Sequence, residues 1–148
     1  IAKLPKAGKV KKEAQNEVLG TTEWTLSNGM KVIYKQTTFK DDEIRMTAYS
    51  PGGLTALPQD DPYTLQNLGD IITLGGVGEF SAIDLPKVLA GKKVNVAPAI
   101  YTYSEAMNGS CSPKDLETMM QLIHLYFTAP RADQEVFQST MERTKAML

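Results

Sequence analysis

Cysteine and histidine are almost missing from this chain of 148 residues, which holds one of each, Cys111 and His124. A single thiol permits no internal disulfide and no cysteine-based zinc site, and a lone imidazole forbids any motif that needs two. Neither sign of charge dominates: 16 Lys+Arg stand against 17 Asp+Glu, a formal net charge of −1. Nucleic-acid binding needs a concentrated positive field, so nucleic acid is excluded as a partner. No stretch approaches the roughly 18–20 consecutive apolar residues of a membrane span. No signal-peptide pattern is visible, and the chain opens at Ile1. It therefore reads as a processed product or an excised piece of something longer.

What is present suffices for a folded core. The residues are 42% hydrophobic and 22% charged, which argues against disorder. The length suits one domain, and a chain of this size buries about two-thirds of its unfolded surface. Residues 1–12 carry Lys3, Lys6, Lys9, Lys11 and Lys12 without an acid. An arm for a polyanion would lose affinity steeply with salt, but no arginine or aromatic accompanies these lysines. With Pro5 and Gly8 as breakers, residues 1–19 read as a basic linker or the tail of a preceding domain. Residues 20–148 then form one incomplete domain.

Local patterns place the elements. A hairpin is predicted over 23–36, with Trp24 and Leu26 alternating with polar neighbours and Asn28-Gly29 as the positive-φ pair of a tight turn. A strand follows from Ile44 to Tyr49, with Ile44, Met46 and Ala48 on one face, and Pro51-Gly52-Gly53 stops it. Asp61 before Pro62 caps a helix to about Leu74, with Leu65, Leu68 and Ile72 as its stripe and Gly75-Gly76 closing it. A short helix fits Asp84 to Ala90. Two extended segments, Val94 to Tyr103 and Glu105 to Cys111, pair antiparallel. Ser112-Pro113-Lys114-Asp115 starts a helix that runs to Phe127 or Thr128. Leu116, Met120, Ile123 and Phe127 are its buried stripe, by their spacings of 4, 3 and 4. Asp133 opens a last helix with Phe137, Met141, Thr144 and Leu148 on one side. That helix lacks a stop signal, so the chain is expected to be cut in or just after it. The fold class is α+β, a mixed or antiparallel sheet with helices packed on one face.

Each candidate for chemistry has a plainer explanation. His124 shares the polar face of its helix with Lys114, Glu117, Gln121 and Thr128, where a histidine is ordinarily solvated. Cys111 precedes a helix start that would favour thiolate. A dyad with His124 fails, because that residue lies roughly 16 Å along the axis at 1.5 Å per residue, whereas a dyad needs about 3 Å. Gly75-Gly76-Val77-Gly78 suggests a phosphate loop, but it follows a helix and lacks the Lys-Ser/Thr pair. Asp60 and Asp61 could bind a cation and are more simply a cap with its neighbour. No G-x-S-x-G elbow supports hydrolysis by serine.

Several strings occur in a telling order. Trp24-Thr-Leu-Ser-Asn-Gly-Met-Lys-Val-Ile33 opens the series, and Gly52-Gly53-Leu54 ends a strand. Gly75-Gly76-Val77-Gly78-Glu79-Phe80-Ser81 follows a helix. Leu89-Ala-Gly-Lys92, Ser112-Pro-Lys-Asp-Leu-Glu-Thr118, Gln121-Leu-Ile-His-Leu-Tyr-Phe-Thr128, Pro130-Arg131 and Asp133 complete the set. Together, from about Gly20 to Leu148, they resemble the pitrilysin/insulinase-like zinc metallopeptidases, particularly the large bacterial zinc protease type.

The resemblance implies homologous halves enclosing a peptide-holding chamber. One half carries H-x-x-E-H, whose two imidazoles hold zinc while the glutamate activates water. The corresponding helix here, Tyr63-Thr-Leu-Gln-Asn-Leu-Gly-Asp-Ile71, has no histidine and no glutamate. No catalytic residue and no zinc ligand carries over, and no cofactor is expected in this chain. Zinc is expected in the parent's catalytic half, and the chain is expected to begin the non-catalytic, C-terminal half. Its partners would be the other half and unstructured peptides. Substrate peptides in the family's catalytic half add as a strand to a sheet edge. The matching region is 92–103, where Asn95, Ala97 and Tyr101 would face the chamber and Pro98 would remove one donor from the ladder. An ordinary sheet strand is the better explanation of that region, so the peptide-binding residues stay open. The competing expectation is a peptide-binding or assembly protein of the same fold without chemistry. The family also implies a bacterial envelope location, periplasmic.

Overall fold

The computed structural model describes residues 5–58 and 62–147. The chain divides into two compact units, Ile1–Asp41 and Asp42–Leu148.

The first unit is a three-stranded antiparallel sheet of β1 (Val10–Asn16), β2 (Thr21–Leu26) and β3 (Lys31–Tyr34), in that spatial order. Residues 10–16, inside the stretch expected to be linker, are thus an edge strand. Their run of polar residues hides it from a hydrophobicity reading, because β1 is exposed at every position but Asn16. The β2–β3 turn also differs from expectation. Leu26 N–H donates to Met30 O at 2.8 Å, so the loop holds three residues rather than two. In such loops only the last residue is left-handed, and only Gly29 is, at φ 88°. Trp24 binds this sheet together: its ring meets Tyr34 edge-on at 4.9 Å, and its Nε1 donates to Glu13 Oε2 at 2.8 Å.

The second unit holds β4 (Ile44–Pro51), α1 (Pro62–Leu74), α2 (Asp84–Val88), β5 (Val94–Ile100), β6 (Ser104–Cys111), α3 (Leu116–Thr128) and α4 (Gln134–Lys145). Its sheet is antiparallel throughout, in the order β4-β6-β5. Met107, Gly109 and Cys111 of β6 are buried on the side that receives α3, and Met119 and Leu122 are the helix residues that fill it. The contact is close, because a Cβ on Gly109 would lie 2.9 Å from Met119 Sδ. Glycine here is a matter of room.

The core of α3 therefore differs from the stripe predicted for it. Met119 has 0% exposure, whereas Phe127 is 70% exposed, Met120 46% and Leu116 37%. The helix is apolar on two sides, and 4-3-4 spacing cannot say which side meets the sheet. In α4, Phe137 is exposed and Met141 half-buried. Thr144 is exposed and Leu148 lies outside the described residues, so the predicted α4 stripe is only partly covered. The predicted cap Asp61 and its neighbour Asp60 also lie outside the described residues, as does the side chain of Leu65.

Candidate functional site: the open face and edges of the second sheet

Register fixes what each side of the second sheet presents. Cross-strand partners share a face, so Arg45, Thr47 and Tyr49 of β4 align with Ser110, Asn108 and Ala106 of β6. Asn95, Ala97 and Ala99 of β5 complete the three rows. This is the face away from α3. Its outer residues Arg45, Thr47, Tyr49, Asn95 and Ala97 are all exposed. Two of its three rows are polar: Thr47 Oγ1 donates to Asn108 Oδ1 at 3.1 Å, and Arg45, in the row with Ser110 and Asn95, pairs with Glu43 at 3.2 Å. Asn95 and Ala97 both lie on this face. Tyr101 lies past the end of β5, exposed in the hairpin, where its N–H donates to Ser104 O at 2.8 Å.

The ladder also shows which way Pro98 faces. Ser112 N–H donates to Lys93 O at 2.9 Å and Tyr101 N–H to Ser104 O at 2.8 Å. Odd-numbered residues of β5 therefore point their backbone groups at β6, and even-numbered ones point outward. Pro98 is even, so the donor it lacks is missing from the free outer edge, where an added strand would pair, and the ladder to β6 is untouched. On β4 the inward set is even-numbered, as Gly52 N–H donating to Tyr103 O at 2.9 Å confirms. Arg45, Thr47 and Tyr49 thus point theirs outward.

The other candidates resolve into structure. Cys111 is buried. Burial pushes its thiol pKa up, and the Asp115 carboxylate adds to the shift. It is the reverse of an activated nucleophile. His124 is half-buried on α3 beside Gln121, whose amide donates to Glu117 Oε1 at 3.0 Å. The glycine loop uses up its own donors: Val77 N–H goes to Phe80 O at 3.0 Å and Gly78 N–H to Ala129 O at 2.8 Å. Val77 is fully buried there, and no cradle for a phosphate remains. Ser112 does not cap α3 through its side chain. Its hydroxyl instead donates to the Asp115 carboxylate at 2.6 Å, and that same oxygen accepts Lys93 N–H at 2.9 Å. Among the described residues no three of His, Cys, Asp and Glu gather as metal ligands, and these residues do not fit a zinc site. No helix among the described residues is long and apolar enough to cross a membrane.

The rows across β4, β6 and β5 were partly legible, because the sequence put Ile44, Met46 and Ala48 on one face and so Arg45, Thr47 and Tyr49 on the other. The part played by Asn108 and Ser110 was missed. Their alternation with Met107, Gly109 and Cys111 was the available signal.

No family model matches the chain. Over 135 residues it is 33% identical to the zinc protease PQQL-like protein of Arabidopsis thaliana, spanning 91% of this chain and 12% of that protein. Over 103 residues it is 29% identical to the probable zinc protease PqqL of Haemophilus influenzae, spanning 70% of this chain and 11% of that one. The chain belongs to the pitrilysin-like zinc protease family. Its fold agrees. A mutant of the ferredoxin protease FusC, solved with Arabidopsis ferredoxin, superimposes with a TM-score of 0.82 at 20% identity, over 94% of this chain and 15% of that one. The periplasmic protease PqqL from Escherichia coli gives 0.79 at 20% identity, over 92% and 15%. The chain thus spans about one-eighth of the length of its curated family relatives. One of those is a plant protein, so the match is not confined to bacteria.

Proposed function

We propose that this chain is a stretch of the metal-free, C-terminal half of a zinc endopeptidase, and that the open face of its second sheet lines a chamber holding unstructured peptides. The observation that carries the reading is that face itself: its outer residues are exposed, two of its three rows carry polar side chains and the third is floored by alanines. A peptide laid against it would meet the Thr47–Asn108 pair and Asn95. Hydrolysis and its zinc belong to the other half, because the helix that would carry H-x-x-E-H has neither histidine nor glutamate here. A periplasmic location is part of the proposal, supported by the relative described as a periplasmic protease.

The test places a photo-crosslinking residue at Thr47 or Ala97 in the longer protein and adds an unstructured peptide. Crosslinking at both, with none from Lys114 on the helix side, is the expected result. Equal labelling at all three positions, or none at the sheet, overturns the assignment of the face. A longer protein with no intact H-x-x-E-H that still crosslinks would be a peptide-binding or assembly protein instead.

A further inference from the structure

The second unit has two contrasting outer surfaces. One is the polar sheet face. The other is the outward side of α3, where Leu116, Met120, Ile123 and Phe127 recur at heptad-like spacing of 4, 3 and 4. Three of the four are exposed, Phe127 at 70%, Met120 at 46% and Leu116 at 37%. Such a stripe at this spacing is the seam of a helix–helix contact. The sheet does not cover that stripe, since Met119 and Leu122 fill the sheet contact from the adjoining flank of the helix.

We infer that the outer side of α3 is a packing seam for an apolar helix of the same longer polypeptide, outside these 148 residues. The inference rests on the chain being a stretch of a longer protein, as proposed above. Two observations point to that occupant. The curated relatives extend far beyond the matched stretch, which is 12% and 11% of their length. The apolar and polar surfaces lie on opposite sides of the unit, so a wet chamber on one side leaves the dry seam for protein on the other. A peptide substrate is a poor match for the stripe, which presents no free backbone edge. A second copy of the chain is the competing occupant.

Cysteine labelling in the longer protein tests this, with its other accessible cysteines replaced. Cys111 is buried and contributes little background. Met120→Cys and Phe127→Cys are compared with Glu117→Cys, which lies on the exposed polar side of the same helix. Modification of the first two at least tenfold slower than the third, independent of protein concentration, is the expected outcome. Equal rates overturn the seam, and so does protection that appears only when the protein self-associates. Peptide crosslinking and zinc content of the same samples report the chamber reading separately, so either can fail while the other stands.

Discussion

Ser112 and Asp115 form a buried hydroxyl–carboxylate pair at 2.6 Å, and the same carboxylate oxygen takes the Lys93 N–H at 2.9 Å. One side chain thus ties the start of α3 to the residue preceding β5. A second tie runs the other way, as Ser112 N–H donates to Lys93 O.

This pair makes stability depend on acid. The Ser112 hydroxyl, and then the Lys93 N–H, hold the Asp115 pKa below its ordinary 3.8. A carboxyl with a depressed folded-state value contributes stability above the unfolded value, and that contribution fades as pH falls through the folded one. Thermal midpoints taken from neutral pH downward should fall in the parent below about pH 4 more steeply than in Asp115→Asn. Ser112→Ala should lower the midpoint at neutral pH and shrink the acid dependence as well. Parallel pH profiles for all three proteins would remove Asp115 from the account.

The glycine loop after α1 should tolerate almost nothing. Gly76 sits at φ 87°, and a Cβ there would collide with the Phe80 carbonyl. Gly91 has a similar φ of 81° with nothing within 4 Å of its would-be Cβ. Gly91→Ala should cost only the backbone penalty, about 1–2 kcal/mol. Gly76→Ala should cost clearly more, read as a lower urea midpoint at unchanged slope. Equal costs would mean the loop relaxes freely.

Gly109 and Met119 should be coupled. Met119→Ala empties the centre of the core and should cost roughly 2–5 kcal/mol. Gly109→Ala overpacks the same spot, at roughly 1–3 kcal/mol. The double variant should cost less than the two singles combined, since the added methyl fills part of the space the thioether leaves. Simple additivity in denaturant titrations would contradict the contact.

The β5 ladder predicts opposite outcomes at adjacent residues. Pro98→Ala changes only the outer edge and should move stability by less than about 1 kcal/mol. Ala97→Pro removes an N–H aimed at Asn108 and should cost roughly 1–3 kcal/mol, with amide exchange accelerated at its neighbours. Reversal of that order would mean the register is misassigned.

Much of the fold was legible because its signals are local. The extents of α1 and α3, the two strands of the β5–β6 hairpin and the Asp133 start of α4 follow from proline, glycine, caps and spacing. Asp133 does accept Val136 N–H at 3.2 Å. Strand β1 was missed because its side chains are nearly all polar and its evidence is a partner, β2, that the sequence does not label. The candidate face was half legible, since alternation gives the two sides of a strand but not which side a helix will cover.

The sequence by itself determined where the chain turns, which segments are extended or helical, and that one imidazole and one thiol cannot assemble a hydrolytic metal site. Tertiary structure alone decided which apolar side of α3 became core. Gly109 leaves a gap on the sheet that fits Met119 closely, and filling that gap turns Met120 and Phe127 outward. Periodicity gives a helix its faces, but only the shape of the surface it meets selects among them.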